Sequence, residues 1–346
     1  MKLSYRARRA WHRVGIAALA IAVLAALMIF VWTVWLGRYV VYTRDGATLD
    51  FDSSAEMING VVALEPPTQE TVSVVYNEGE DAIDTGSEMT QLNGFFISAF
   101  DLTDNLATVQ ELADSIPNGS SVMIDVRSSY GYAYYSSTIA PVADSVNVTA
   151  VDALIASLKA RNIYLIARLP AFQNYYYGLN NVPAGLAVDA GYLWMDDEGC
   201  YWLDPASSLA QNQLVQTVSE LKSLGFREVV FSQFCFPSDM SSIVYNAEDR
   251  QAVLDAAAAS LVSSCAGSTF TVSFQADVGE LTIPEGRSRQ YVANISAVNA
   301  SRTAESSGFG EDAAIRLVFL SESNDSRYNA YSVLRAIDLI QFDNND

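Results

Sequence analysis

The 346-residue sequence predicts an α/β protein whose main domain is a (β/α)8 barrel, with room for degeneration in its last quarter, behind a single N-terminal transmembrane helix. Three observations predict it. Short, nearly uninterrupted apolar runs rich in β-branched residues and Phe recur from Leu92 onward, runs of helical period separate several of them, and residues 1–36 pair a basic tail with an uncharged apolar segment. Strands that are apolar on both faces and alternate with helices imply a parallel sheet covered on both sides.

Taken in order, residues 1–13 form a basic tail: Lys2, Arg6, Arg8, Arg9 and Arg13, with no acid. Val14–Leu36 follows as 23 residues without a charge. At a rise of about 1.5 Å per residue, that length crosses a hydrocarbon core of about 30 Å. Trp32 and Trp35 fall at its far end, where amphipathic rings favour the interface. A cleaved signal peptide is the competing reading, but its apolar region spans about 7–15 residues and ends at a small-residue site. Here the run is longer and ends in the bulky WTVWLG. The expectation is a single-pass protein of the cell membrane. Bases at residues 2–13 place the N-terminus in the cytoplasm, and the C-terminal part is extracytoplasmic.

Residues 37–91 are polar and acidic and predict a juxtamembrane stalk or small β segment, with Asp45-Gly46 as a hairpin turn and TVSVVY as a second extended stretch. Residues 92–346 carry the barrel. Its strands are read in GFFISAF, SVMIDV, NIYLIARL, EVVFSQF and TFTVSF, and its helices in VDALIASLKARN, NQLVQTVSELKSLGF and NAEDRQAVLDAAAASLVSS. Gly225 stands as a helix stop, with Asn246 and Asp101 as helix N-caps. RQYVANISAV, AIRLVFL and a helix around Tyr328–Ile340 would complete the fold in shorter units. A doubly wound open sheet is the alternative, weakened because no Gly-rich phosphate turn follows the first strand.

Charge removes several function classes. There are 20 Lys and Arg against 40 Asp and Glu, and the one histidine, His12, sits in the basic tail. Without the five bases of residues 1–37 the remaining fifteen face forty acids, a net charge of −25. No histidine-dependent triad, histidine general base or histidine zinc site can exist in the body of the chain. No nucleic acid is expected as a partner, since phosphate-backbone binding needs clustered bases. Cys200, Cys235 and Cys265 match no metal spacing; one disulfide is open, but free thiols are the simpler reading. No cofactor motif is present, and no loop has the spacing of a calcium site.

Ligands of such folds sit at the C-terminal ends of the strands. Those ends carry Asp101, Asp125 with Arg127, Arg168, then Ser232, Gln233 and Cys235, and finally Asp277. Between the third and fourth strands, residues 170–206 form a long loop. Residues 172–202 hold eight aromatics, including Tyr176 and the only two tryptophans beyond residue 37, Trp194 and Trp202. Aromatic faces beside Asp and Arg suit sugar rings and their hydroxyls. The bland alternative is that these rings pin a long loop to the barrel rim. Asp204 before Pro205 likewise reads as a turn cap.

IYLIARLPAFQN, LWMDDEGCYWLDP, LGFREVVFSQFCFP and SVMIDVRSSYGYAYY resemble, in order and spacing, blocks of a bacterial family of glycosyl hydrolase domains with a TIM-barrel fold. The similarity covers roughly residues 92–280. It implies a glycan substrate and retains Asp125, Arg168, Trp194, Trp202, Asp204, Pro205, Phe236 and Pro237. The departures are Ser232 for an Asp, Cys235 for an Arg, Asn174 for an Asp, and Arg127, Ser128 and Ser129 for a Lys-Asp-Asp run. Glycoside hydrolysis uses two carboxyl groups about 5–9.5 Å apart. A serine with no activating base cannot replace one of them.

The resulting expectation is a membrane-anchored, extracytoplasmic barrel that binds a cell-surface polysaccharide or cell-wall glycan, with hydrolysis lost. Its partners are that glycan and the lipid bilayer, through residues 14–36. Arg168, Trp194, Trp202, Asp204, Tyr176 and Gln233 are the binding candidates. Two alternatives stand beside it: an active hydrolase using Asp125 with Asp277 or Asp204, and a non-catalytic envelope domain that binds proteins.

Overall fold

The computed structural model describes residues 40–43, 46–49, 89–188, 191–245 and 249–340. The chain divides into two compact units, Met1–Glu78 and Gly79–Asp346. In the first, β1 (Val40–Thr43) and β2 (Gly46–Leu49) pair antiparallel with Thr43 opposite Gly46, so Gly46 begins a strand and does not sit in the expected Asp45-Gly46 turn. The expected membrane anchor at 14–36 and the stretch TVSVVY lie outside the described residues. Among the described residues no helix is long and apolar enough to cross a membrane.

The second unit is a closed barrel of eight parallel strands in chain order. These are β3 (Asn93–Ile97), β4 (Ser121–Asp125), β5 (Tyr164–Pro170), β6 (Glu228–Ser232), β7 (Thr271–Gln275), β8 (Gln290–Ala293), β9 (Leu317–Ser321) and β10 (Ser332–Ala336). Helices α1 (Ala99–Asp104) and α2 (Leu106–Asp114) follow β3; α3 (Val148–Ala160) follows β4; α4 (Tyr175–Asn180) and α5 (Ser208–Leu224) follow β5; α6 (Arg250–Cys265) follows β6. Beyond β7 the helical layer thins. Residues 276–289 carry no helix, α7 (Ala300–Ser306) and α8 (Ala313–Arg316) are short, and a single 3₁₀ turn (Ser326–Ala330) joins β9 to β10. The expected degeneration of the last quarter therefore lies in the helices, while the strands complete the barrel.

Alternation along the strands sorts side chains to two faces. Val122 and Ile124 of β4, Leu165, Ala167 and Leu169 of β5, and Val229 and Phe231 of β6 pack outward under the helices. Met123, Ile166 and Val230, between them in sequence, pack inside the barrel with Tyr291, Val318 and Leu334. Each such side chain contributes about 1.5–3 kcal/mol by burial. Gly94 is required where β3 meets β4: a Cβ there would lie 1.8 Å from the Ser121 carbonyl oxygen. Gly225 ends α5 as predicted, in the left-handed region at φ 103°.

The helix expected around Tyr328–Ile340 is instead strand β10, flanked by 3₁₀ turns. Ser332, Val333 and Leu334 are buried, and the strand pairs with both β9 and β3. Closing the ring satisfies two open strand edges at once, which outweighs local helical period. Two cap assignments also change. Ser98 caps α1, with Asp101 at the third helical position completing a capping box. Asp249 caps α6 through Ala252 N, while Asn246 lies outside the described residues.

The inward positions at the N-terminal end of the barrel are polar. Glu228, fully buried, takes a 2.5 Å ion pair from Arg289 and hydrogen bonds from Ser273 (2.6 Å), Tyr291 (2.8 Å) and Tyr164 (3.1 Å). Arg289 also donates to the Ile315 and Thr90 carbonyls. Burial alone would lower the Arg289 pKa, but the Glu228 charge holds it above the usual arginine value. This polar plug ties β6, β7 and β8 to the segments entering β3 and β9.

Candidate functional site

The same alternation directs Asp125, Arg168, Ser232 and Gln275 inward at the opposite, C-terminal end of β4 to β7. Asp125 and Arg168 are register partners. Arg168 Nε donates to Asp125 Oδ1 at 2.5 Å and Nη2 to Oδ2 at 2.9 Å, a two-pronged ion pair with side chains 19% and 15% exposed. The third nitrogen, Nη1, donates to Gln275 Oε1 at 3.3 Å. Asp125 Oδ2 further accepts from the Ala99 amide at 2.8 Å, so β4, β5, β7 and the first residue of α1 meet at this cluster. Burial alone would lower the Arg168 pKa, yet its bond and charge partner Asp125 keep it above the usual value. A carboxylate held by three donors is fixed in place, an arrangement that suits positioning.

A cleft opens over this cluster in two lobes. The first, of about 380 Å³, is lined by Phe96, Arg168, Ala293, Asn294, Ser321, Glu322 and neighbouring residues. The second, of about 250 Å³, is lined by Ser232, Gln233, Cys235, Gln275, Asp277, Glu280 and others, and shares Ala293 and Asn294 with the first. Among the described residues, two of the three non-glycine residues with positive φ lie here: Gln233 (φ 48°) at the end of β6 and Asn294 (φ 59°) at the end of β8. Left-handed backbone costs about 1–2 kcal/mol per non-glycine residue, and such strain concentrates at ligand sites. Burial, then the Glu280 charge, pushes the Cys235 thiol up to about 11, so it is no nucleophile. All three cysteines are free. Among the described residues no group of His, Cys, Asp and Glu is placed to hold a metal ion.

The aromatic loop is built around Asp196. Its carboxylate accepts from Gln173 Nε2 (2.7 Å), Trp202 Nε1 (2.7 Å), Cys200 N (2.8 Å) and Glu198 N (3.0 Å). Burial would raise the Asp196 pKa, but these four bonds together hold it below the usual carboxylate value. Trp202 is 6% exposed, with its N–H committed to Asp196. Trp194 is partly buried against the core. Asp204 Oδ1 caps the turn through Ala206 N (2.9 Å) and accepts from Tyr245 OH (2.9 Å). Tyr176 is 41% exposed and tilts against Tyr132 at 6.2 Å, beside a stacked Tyr175–Tyr201 pair at 5.1 Å.

Of the predicted residues, the cleft gathers Arg168, Gln233 and Asp277, with Asp125 bound to Arg168 beneath it. Trp194, Trp202, Asp204 and Tyr176 line neither lobe. Asn174 caps α4 through Tyr177 N, and Ser128 accepts from Tyr132 N in a turn. Arg127 is buried facing α5, bonded to the Pro170 carbonyl and Thr217, and burial lowers its pKa to about 10. Sequence reasoning missed Gln275, Glu280, Asn294 and Glu322. Counting by two from Ser273 reaches Gln275, and Glu322 directly follows the run AIRLVFLS. Strand ends beyond the fifth were the unused signal.

Residues 94–292, from β3 through β8, match a family described as "Putative glycosyl hydrolase domain". The chain belongs to that family. Solved structures are similar to this glycosyl hydrolase family member over part of its length. An α-galactosidase from Lactobacillus brevis has a TM-score of 0.50 at 9% identity, covering 75% of this chain and 39% of its own. The glycoside hydrolase domain of PelA from Pseudomonas aeruginosa has 0.46 at 11% identity, covering 72% and 98%. A hypothetical protein from Ruminiclostridium thermocellum has 0.46 at 20% identity, covering 55% and 100%. A search of curated proteins finds no match.

Proposed function

We propose that this family member is a membrane-anchored, extracytoplasmic barrel that holds a cell-surface polysaccharide in its mouth without hydrolysing it. The observation that carries the reading is the state of the strand ends. Asp125 is bound on both oxygens by Arg168 and the Ala99 amide, and Ser232 occupies the end of β6. With that carboxylate engaged and a hydroxyl at β6, the β4–β6 pair lacks a free acid and nucleophile. The two-lobed cleft supplies what binding needs: a concave surface with Phe96 and Leu320 beside the polar Gln233, Gln275 and Asn294. Anchoring rests on the uncharged segment 14–36 and the basic residues before it.

Binding and reducing-end release measured together on a panel of cell-wall polysaccharides test the proposal. Saturable binding with no released reducing ends is the expected result. Turnover that Asp277→Asn abolishes would establish the hydrolase alternative instead. No binding to any glycan, with capture of an envelope protein, would favour the protein-binding alternative.

A further inference from the structure

The lining of the mouth is unbalanced in charge. Asp277 and Glu280 face one lobe and Glu322 the other, and all three are exposed. Among the described residues, Arg168 is the one cationic side chain lining either lobe. Three of its five N–H groups are donated to Asp125 and Gln275, and its charge is matched by Asp125 at 2.5 Å. The cleft therefore offers a ligand three carboxylates and no uncompensated positive charge. A ligand bearing carboxylate, sulfate or phosphate would meet repulsion with no compensating positive charge. A neutral N-acetylated sugar would desolvate the carboxylates without replacing their lost hydration by charge. An ammonium group placed between them restores it.

Resting on the reading of the mouth as a glycan site, we infer that it selects a glycan carrying protonated amino groups, a hexosamine polymer at least partly free of N-acetyl groups. Asp277, Glu280 and Glu322 are then its specificity-determining residues. The two lobes share Ala293 and Asn294, so one extended ligand can lie across both.

The test titrates the full chain, purified with detergent at mildly acidic pH, with a glucosamine hexamer, its fully N-acetylated counterpart and a galacturonate oligomer. The glucosamine hexamer should bind about ten-fold more tightly than the acetylated one, and galacturonate not at all. The preference should shrink as salt rises from about 0.05 to 0.3 M. Asp277→Asn, Glu280→Gln and Glu322→Gln, all at exposed positions, should each weaken glucosamine binding about three- to five-fold. Asp114→Asn, at the end of α2 on the opposite face of the barrel, should leave it unchanged. Equal binding of the acetylated hexamer, binding of galacturonate, or an equal loss in Asp114→Asn would overturn the inference while leaving a glycan site standing. Failure of all three oligomers to bind would overturn the glycan reading itself.

Discussion

Removing the charge of Asp125 should expose how the mouth is held. Asp125→Asn keeps an oxygen for the Ala99 amide but leaves Arg168, with its side chain 19% exposed, without its counter-ion. Breaking one side of a fully buried pair costs about 3–5 kcal/mol, and the residual exposure here brings that down to about 2–3 kcal/mol. Arg168→Met strands Asp125 in the same way and should cost about as much. The double variant removes both charges together, so it should cost less than the sum of the singles by about 1–3 kcal/mol. Urea unfolding followed by circular dichroism measures all four corners of this cycle. Strict additivity, or a single-variant loss below about 0.5 kcal/mol, would refute the assignment of Asp125 as the anchor of Arg168.

Other expectations concern the loop, the plug, the sheet and the anchor. Asp196→Ala leaves the buried Trp202 and Gln173 donors without their acceptor and should cost about 2–4 kcal/mol, read by thermal unfolding. Because the Asp196 pKa is lowered in the fold, its contribution is full above the ordinary value of 3.8 and is lost as pH falls through the folded value. Near-ultraviolet circular dichroism of the loop tryptophans should show that acid step, and Asp196→Asn should remove it. Arg289→Met leaves Glu228 buried and unpaired, at a cost of about 3–5 kcal/mol in urea unfolding; a loss under about 1 kcal/mol would contradict the plug. Gly94→Ala should prevent soluble expression of the folded barrel, since its Cβ would overlap the Ser121 carbonyl. Deletion of residues 1–37 should release the chain from the membrane fraction; retention there would contradict the anchor.

The barrel was legible where periodicity was strong. β3 to β7 and the helices α3, α5 and α6 follow from apolar runs and caps close to where the structure places them. β10 was not, because a five-residue strand buried on both faces has no alternating pattern, and only ring closure decides its state. In the site, Asp125, Arg168, Gln233 and Asp277 were readable as residues at strand ends. Sequence could not reveal that Asp125 and Arg168 neutralise each other, since that depends on register between two strands more than forty residues apart. The tryptophans drew attention as sugar platforms. The environment of Trp202 turned on Asp196, an acid whose hydrogen-bonding geometry no composition count can show. Asn294 and Glu322 were hidden because they follow the short, late strand units, and Glu280 because it lies in the loop beyond the end of β7.

The location of bound glycan tests the account most directly. Hydrogen exchange of the full chain, with and without a saturating glucosamine oligomer, should show new protection at the strand ends around residues 232–236, 275–280, 293–296 and 321–323. Protection confined to the aromatic loop at 172–202, with the strand ends unchanged, would contradict the claim that the barrel mouth is the binding site.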